Sequence, residues 1–143
     1  MLLLYTLAAL LISLTVLMLR GWQLKKKFRI PFYCLLVSSD VGNRKPKFLR
    51  KCILVGVPDA LFFNPLKMRY IVGELKSRYY TGEITRYEEA QITLYMGMCN
   101  KWYLLKPSGV MLYGNGRVAP VKYNSNLFKS IFKLRFECLS IIN

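Results

Sequence analysis

The chain has no histidine, and only seven of its 143 residues are aspartate or glutamate. Without an imidazole there is no Ser-His-Asp triad, no Cys-His pair and no His-ligated zinc. Any hydrolytic chemistry must rest on carboxylates, lysine, tyrosine or a bound metal. Cysteine is scarce as well. Cys34, Cys52, Cys99 and Cys138 lie far apart and make no CxxC pair, which excludes a zinc knuckle and a dense disulfide framework. They are expected as reduced, mostly buried thiols of a cytosolic domain. There is no internal repeat and no low-complexity linker. A chain of this length builds one small domain with an appendage.

Against the few acids stand 22 lysines and arginines, a net charge of +15. Such a surplus selects polyanions as partners, either nucleic acid or an anionic membrane surface. Met1 to Leu19 carries no charged side chain. As a helix it would be about 28 Å long, near the thickness of a hydrocarbon core. Nothing basic precedes this run, whereas Arg20, Lys25, Lys26, Lys27 and Arg29 follow it. That order fits a signal anchor better than a cleaved leader. The positive-inside rule then puts the N-terminus outside and the remainder in the cytoplasm. The expectation is a transmembrane anchor over 1–20, crossing the inner (cytoplasmic) membrane once. A basic juxtamembrane segment over 21–31 and a folded domain over 32–143 would follow. Trp22 would lie among the headgroups, and Lys25, Lys26 and Lys27 would meet anionic lipid. A buried core helix is the competing reading, weakened by the lack of a polar face.

Within the domain, Phe32–Asp40 reads as a strand, and Val41–Lys51 as a loop or short element. Cys52–Phe63 reads as a second strand, closed by the Asn64-Pro65 turn signal, and Met68–Arg78 as its hairpin partner. From Ile84 to about Lys101 the period becomes helical, with Glu88 and Glu89 placed to favour the helix dipole. Val110–Tyr123 reads as a hairpin around Asn115-Gly116, and Asn126–Ile142 as a last amphipathic helix. The order β-β-β-α-β-β-α describes an α/β domain around a mixed sheet.

Chain reversal between the paired strands brings Asp59 and Glu74 together, with Lys76 on the same face as Glu74. Two carboxylates are what a hard divalent cation takes from a protein, water and substrate phosphate completing its shell. A lysine beside them can orient a water or offset developing charge. Gln91 and Tyr95, four apart, share one face of the following helix. Taken alone, Glu74 and Lys76 could be a solvent-exposed pair, and Pro58-Asp59 a turn.

The stretches "GVPDALF", "VGELKSR" and "YEEAQITLYMG" resemble the motifs of the PD-(D/E)XK nuclease superfamily, and within it the RecB-like branch that includes CRISPR-associated RecB-type exonucleases. That branch shows a Gly-x-x-Asp strand, a Glu-x-Lys strand and a Gln-x-x-x-Tyr helix in this order. The match runs from about Val55 to Gly97. It implies a restriction-endonuclease-like mixed sheet flanked by helices, behind the expected transmembrane helix, and hydrolysis of DNA with Mg²⁺ or Mn²⁺. By the same resemblance Asp59, Glu74 and the Leu75 backbone carbonyl would hold the metal. Lys76 would activate water, Gln91 would hold that water or the lysine, and Tyr95 would contact the nucleic-acid backbone.

Two departures bear on the metal site. Relatives often carry a further His or Glu upstream, whereas here the only acid before Asp59 is Asp40. Either Asp40 substitutes, or the site takes one metal with more water. Cys99 and Cys138 cannot supply the cysteine cluster of iron–sulfur members, so no iron–sulfur centre is expected. A phosphate-tracking groove is expected from Lys45, Lys47, Arg50, Lys51, Lys67, Arg69, Arg78, Arg86, Arg117 and Lys122. Among these, Arg50, Lys51, Arg78, Arg86 and Arg117 are the principal DNA contacts, joined by Tyr95. A membrane-anchored nuclease would suit defence against incoming phage or plasmid DNA. The small domain suggests a homo-oligomer or a larger protein partner that completes the groove. The alternative is a non-catalytic DNA-binding or assembly module that keeps the fold, and a third reading is a membrane-surface protein.

Overall fold

A computed structural model describes residues 1–41, 48–52 and 54–142. Helices α1 (Leu2–Leu19) and α2 (Trp22–Lys27) lead into strand β1 (Leu35–Ser39). Strands β2 (Leu49–Lys51) and β3 (Leu54–Gly56) form a small ribbon of their own. The main sheet continues with β4 (Ala60–Asn64) and β5 (Arg69–Lys76). After helix α3 (Arg86–Cys99) come β6 (Ser108–Tyr113), β7 (Val118–Lys122) and helix α4 (Ser125–Ile142). The five-stranded order is β1-β4-β5-β6-β7.

The turn chemistry sets this order. Asn64 Oδ1 accepts the Lys67 amide at 3.0 Å and closes the β4–β5 hairpin, with Ala60 opposite Gly73 and Asn64 opposite Arg69. Helix α3 then carries the chain over the sheet, so β6 pairs with β5 in parallel, as a crossover connection requires. Gly116, at φ 73°, makes the turn that sends β7 back along β6. β5 is therefore central, and Ile71 to Glu74 are all buried, as expected of a strand covered on both faces.

One apolar core gathers Leu61, Val72, Ile92, Met96, Met111 and Val121 around α3. The other gathers Phe28, Ile30, Cys34, Leu36, Phe62 and Ile71. α4 docks on α3 through Phe128, whose ring occupies the space that a side chain at position 97 would fill.

Three expectations change. The single strand over 52–63 is two, β3 and β4, in different sheets. Pro58 lacks an N–H and lies buried at the break. Asp59 consequently stands at the entrance to β4 rather than in mid-strand. Secondly, the segment 21–31 is part of the domain, because Phe28 and Ile30 enter the second core.

Thirdly, the membrane anchor is overturned. Among the described residues no helix is long and apolar enough to cross a membrane. α1 has 18 residues. Its last turn is also engaged by the domain. Lys25, expected at the headgroups, is only 1% exposed and donates from Nζ to the Met18 carbonyl at 2.5 Å and the Phe32 carbonyl at 3.0 Å. Gly21, at φ 74°, turns the chain directly beneath Leu36. The transmembrane helix preceding the sheet, and the single-pass localisation built on it, are withdrawn. The α/β architecture with a mixed sheet stands.

Candidate active site

The site forms where β4 begins late. β4 starts at Ala60, opposite Gly73, so the Leu75 amide beyond it meets no strand residue on that edge. A buried N–H needs a partner, and the Asp59 carboxylate supplies one, Oδ2 accepting at 2.6 Å. The bond fixes Asp59 beside Glu74. A strand residue sends its N–H and C=O to the same side, so the Leu75 carbonyl faces the same open edge.

Helix α3 supplies the other wall. Lys76 Nζ donates to Gln91 Oε1 at 2.6 Å and to Glu74 Oε1 at 3.2 Å, and Gln91 Nε2 donates to Glu74 Oε1 at 2.5 Å. Glu74, Lys76 and Gln91 thus close a triangle between strand and helix. Tyr95 lies one turn further along α3. A Cβ on Gly56 would stand 2.6 Å from the Tyr95 ring, so the glycine of the Gly-x-x-Asp stretch is the seat of that ring. Burial pushes the Tyr95 phenol above its ordinary pKa, against a lowering by its hydrogen bond with Gln91.

Glu74 is 4% exposed. Desolvation, then the neighbouring Asp59 charge, push its pKa up to about 7 against the opposing pull of Lys76. Its Oε1 accepts two hydrogen bonds. Its Oε2 is buried and has no hydrogen-bond partner among the described residues. A buried carboxylate oxygen left bare carries a desolvation cost, which a cation at that point would offset. The available donors, two carboxylates and a strand carbonyl, are all oxygen, as Mg²⁺ and Mn²⁺ prefer. Among the described residues no three His, Cys, Asp or Glu side chains gather. Asp40 reaches the site through its backbone, its N–H donating to the Asp59 carbonyl at 2.9 Å, while its residue is exposed.

The expected DNA contacts are divided by the structure. Arg78 is engaged: Nε donates to Glu88 Oε1 at 2.7 Å and Nη2 to Glu88 Oε2 at 2.6 Å. Glu88 also completes the capping box with Thr85 and accepts from the Tyr113 hydroxyl at 3.2 Å. Lys51 donates to the Gly97 carbonyl at 2.9 Å and lies 5.2 Å from the centre of the Phe128 ring, which makes it a clamp between α3 and α4. Arg50, Arg86 and Arg117 are exposed, as are Trp22, Lys26 and Lys27. Lys45 and Lys47 lie outside the described residues. Cys34 and Cys99 are buried, and Cys52 and Cys138 exposed.

Sequence reasoning missed the Arg78–Glu88–Tyr113 rivet. The Thr-x-x-Glu spacing at 85–88 signalled the cap, and nothing local pointed from there to Tyr113. It also missed that the basic end of α2 stands across a cleft from Lys76.

No family model matches the chain, and no curated protein matches it. A solved structure titled "Crystal structure of SSO0001" is similar over 87% of this chain and 58% of that one, with 20% identity and a TM-score of 0.39. The chain therefore spans less than two thirds of that structure's length. A likeness at this score carries no argument about fold or function.

Proposed function

We propose that the chain is a divalent-metal-dependent nuclease that hydrolyses DNA phosphodiester bonds. The observation that carries this reading is the bare, buried Glu74 Oε2 beside Asp59, with the Lys76 ammonium tied to the same carboxylate. The resemblance of the three motifs to PD-(D/E)XK nucleases supports it. Asp59, Glu74 and the Leu75 carbonyl would hold Mg²⁺ or Mn²⁺. Bound there, the ion supplies Lewis-acid stabilisation of charge on the phosphoryl oxygens.

The chain's own groups do the rest. Asp59 is oriented by the Leu75 amide at Oδ2, and its other oxygen is the one that would meet the ion. Lys76 is held by Gln91 and Glu74, where its ammonium orients the attacking water and offsets negative charge developing on the phosphoryl oxygens. Gln91 binds both partners, accepting from Lys76 and donating to Glu74, and so fixes the pair in one arrangement. Tyr95, seated on Gly56, faces the backbone of the bound strand. A non-catalytic DNA-binding module is the competing reading, but it has no use for a bare carboxylate oxygen next to a lysine.

The test is cleavage of labelled linear and circular DNA by the full chain in Mg²⁺, Mn²⁺ or EDTA. Metal-dependent cutting is expected. DNA binding without cutting in either metal would refute the proposal in favour of the non-catalytic module.

A further inference from the structure

Lys26 and Lys27, in the last turn of α2, were expected at lipid headgroups, yet the fold sets them, with Arg29 just after the helix, across a cleft from Lys76. A cleft of about 460 Å³ separates Lys26, Lys27 and Arg29 from Lys76, Tyr113 and Gly114. Lys76 thus belongs to two places, the carboxylate triangle and the wall of this cleft. No carboxylate is among the described lining residues, so Lys26, Lys27 and Arg29 meet no counter-charge in the wall, whereas Lys76 is paired with Glu74 behind it. The cleft lies at the carboxyl ends of β5 and β6, the parallel pair of the sheet. Ligands of open α/β sheets gather at such ends.

The basic wall is also tied to the core. Lys25, Phe28 and Ile30 are buried at 1%, 1% and 8% exposure. The Ile30 amide donates to the Lys25 carbonyl at 2.8 Å and the Arg29 amide to the Lys26 carbonyl at 3.2 Å. With Lys25 and Phe28 turned inward, the intervening Lys26 and Lys27 are turned out. Arg29 sits at φ 54°, a left-handed conformation that costs a non-glycine residue. Glycine would relieve that strain, and an arginine stands there instead.

We propose that Lys26, Lys27 and Arg29 bind phosphates of the single strand that runs on from the scissile phosphodiester, with Lys76 marking the junction. This rests on the nuclease reading for its direction, but the binding can be measured without cleavage. The ligand chemistry is a run of phosphodiesters. A row of three cations along a cleft whose lining holds no carboxylate matches a run of phosphodiesters, and the vesicle arm of the test separates that source from lipid headgroups.

The experiment measures binding of a fluorescent single-stranded oligodeoxynucleotide to the full chain in EDTA, across a salt series. The protein is compared with a Lys26→Ala/Lys27→Ala/Arg29→Gly variant and with a Lys101→Ala/Lys106→Ala/Lys129→Ala variant. The second removes the same charge from exposed positions elsewhere. Arg29→Gly alone serves as a folding control, because its thermal midpoint should stay level or rise while its affinity falls. The first variant should lose at least about tenfold in affinity, and its slope of log K against log salt should become shallower by about 2. The control variant should change much less. Equal losses in both triple variants would overturn the inference by reducing it to net charge. So would a loss confined to phosphatidylglycerol vesicles with oligonucleotide binding intact. If the wild type cuts DNA while the first variant binds normally, the subsite is wrong and the nuclease reading survives. If the wild type never cuts but the predicted affinity loss appears, the subsite survives and the nuclease reading falls.

Discussion

Replacing Glu88 by glutamine should cost the fold about 2 kcal/mol at neutral pH. The carboxylate accepts from two Arg78 nitrogens, from the Thr85 amide at 3.0 Å and from the Tyr113 hydroxyl. It therefore rivets the end of β5, the start of α3 and the end of β6. The hydrogen bonds from Arg78 are the largest cause that holds its pKa at about 2, below the ordinary value near 4.5. That depression corresponds to about 3 kcal/mol at neutral pH. Arg78 keeps 35% side-chain exposure, and solvent screening reduces the expectation to about 2 kcal/mol. For a chain of this size that is a fall of about 6 °C in thermal midpoint. Because the folded pKa is depressed, the contribution is complete above the unfolded value and is lost as pH falls towards 2. The gap between wild type and Glu88→Gln should therefore be full at pH 7 and shrink between pH 5 and pH 2. Melting curves followed by circular dichroism over that range would show it. Equal midpoints at pH 7, or a gap that ignores pH, would refute the reasoning.

Other consequences are nearer the site. Gly56→Ala should displace the Tyr95 ring, which a Cβ would meet at 2.6 Å. A loss of about 1–3 kcal/mol in urea unfolding is expected from such overpacking, and an unchanged midpoint would show that the ring yields freely. Glu74→Gln should weaken Mn²⁺ binding, followed by electron paramagnetic resonance, by tenfold or more on the order of one lost charged ligand; equal affinity would remove Glu74 from the metal site. Lys51→Met should destabilise by about 1 kcal/mol, through its lost bond to the Gly97 carbonyl and its cation–π contact. It should lower DNA affinity no more than any single exposed lysine does, and a larger loss in a binding titration would return Lys51 to the groove.

The mixed sheet was legible because its punctuation is local: Asn64-Pro65 and Asn115-Gly116 mark the two hairpins, and the helical period after Ile84 marks the crossover. The break at Pro58 was harder to read, because Cys52–Phe63 is apolar on both sides of it and strands of two sheets share that composition. The anchor was misread for a related reason. Uncharged sequence is equally compatible with lipid and with a helix whose last turn is capped by a buried lysine, and Lys25 looks like any collar lysine until Met18 and Phe32 are placed around it. Strand period put Glu74 with Lys76 and helix period put Gln91 with Tyr95, while the meeting of Gln91 with the lysine was what the motif resemblance implied. The fate of Arg78 did not, since its partner is chosen by how α3 crosses β5, which no local pattern encodes.

The central claim, that the Asp59–Glu74–Lys76–Gln91 group hydrolyses DNA, is tested most directly by one ratio. Single-turnover cleavage of a labelled duplex in Mn²⁺ would be compared for the wild type and Lys76→Ala at saturating protein, with Mn²⁺ affinity measured in parallel. The account predicts metal-dependent cleavage by the wild type and a loss on the order of 10²-fold or more in the variant, with Mn²⁺ still bound. Equal rates in the two proteins would contradict it, because the lysine that Gln91 and Glu74 hold in place would then take no part in the reaction.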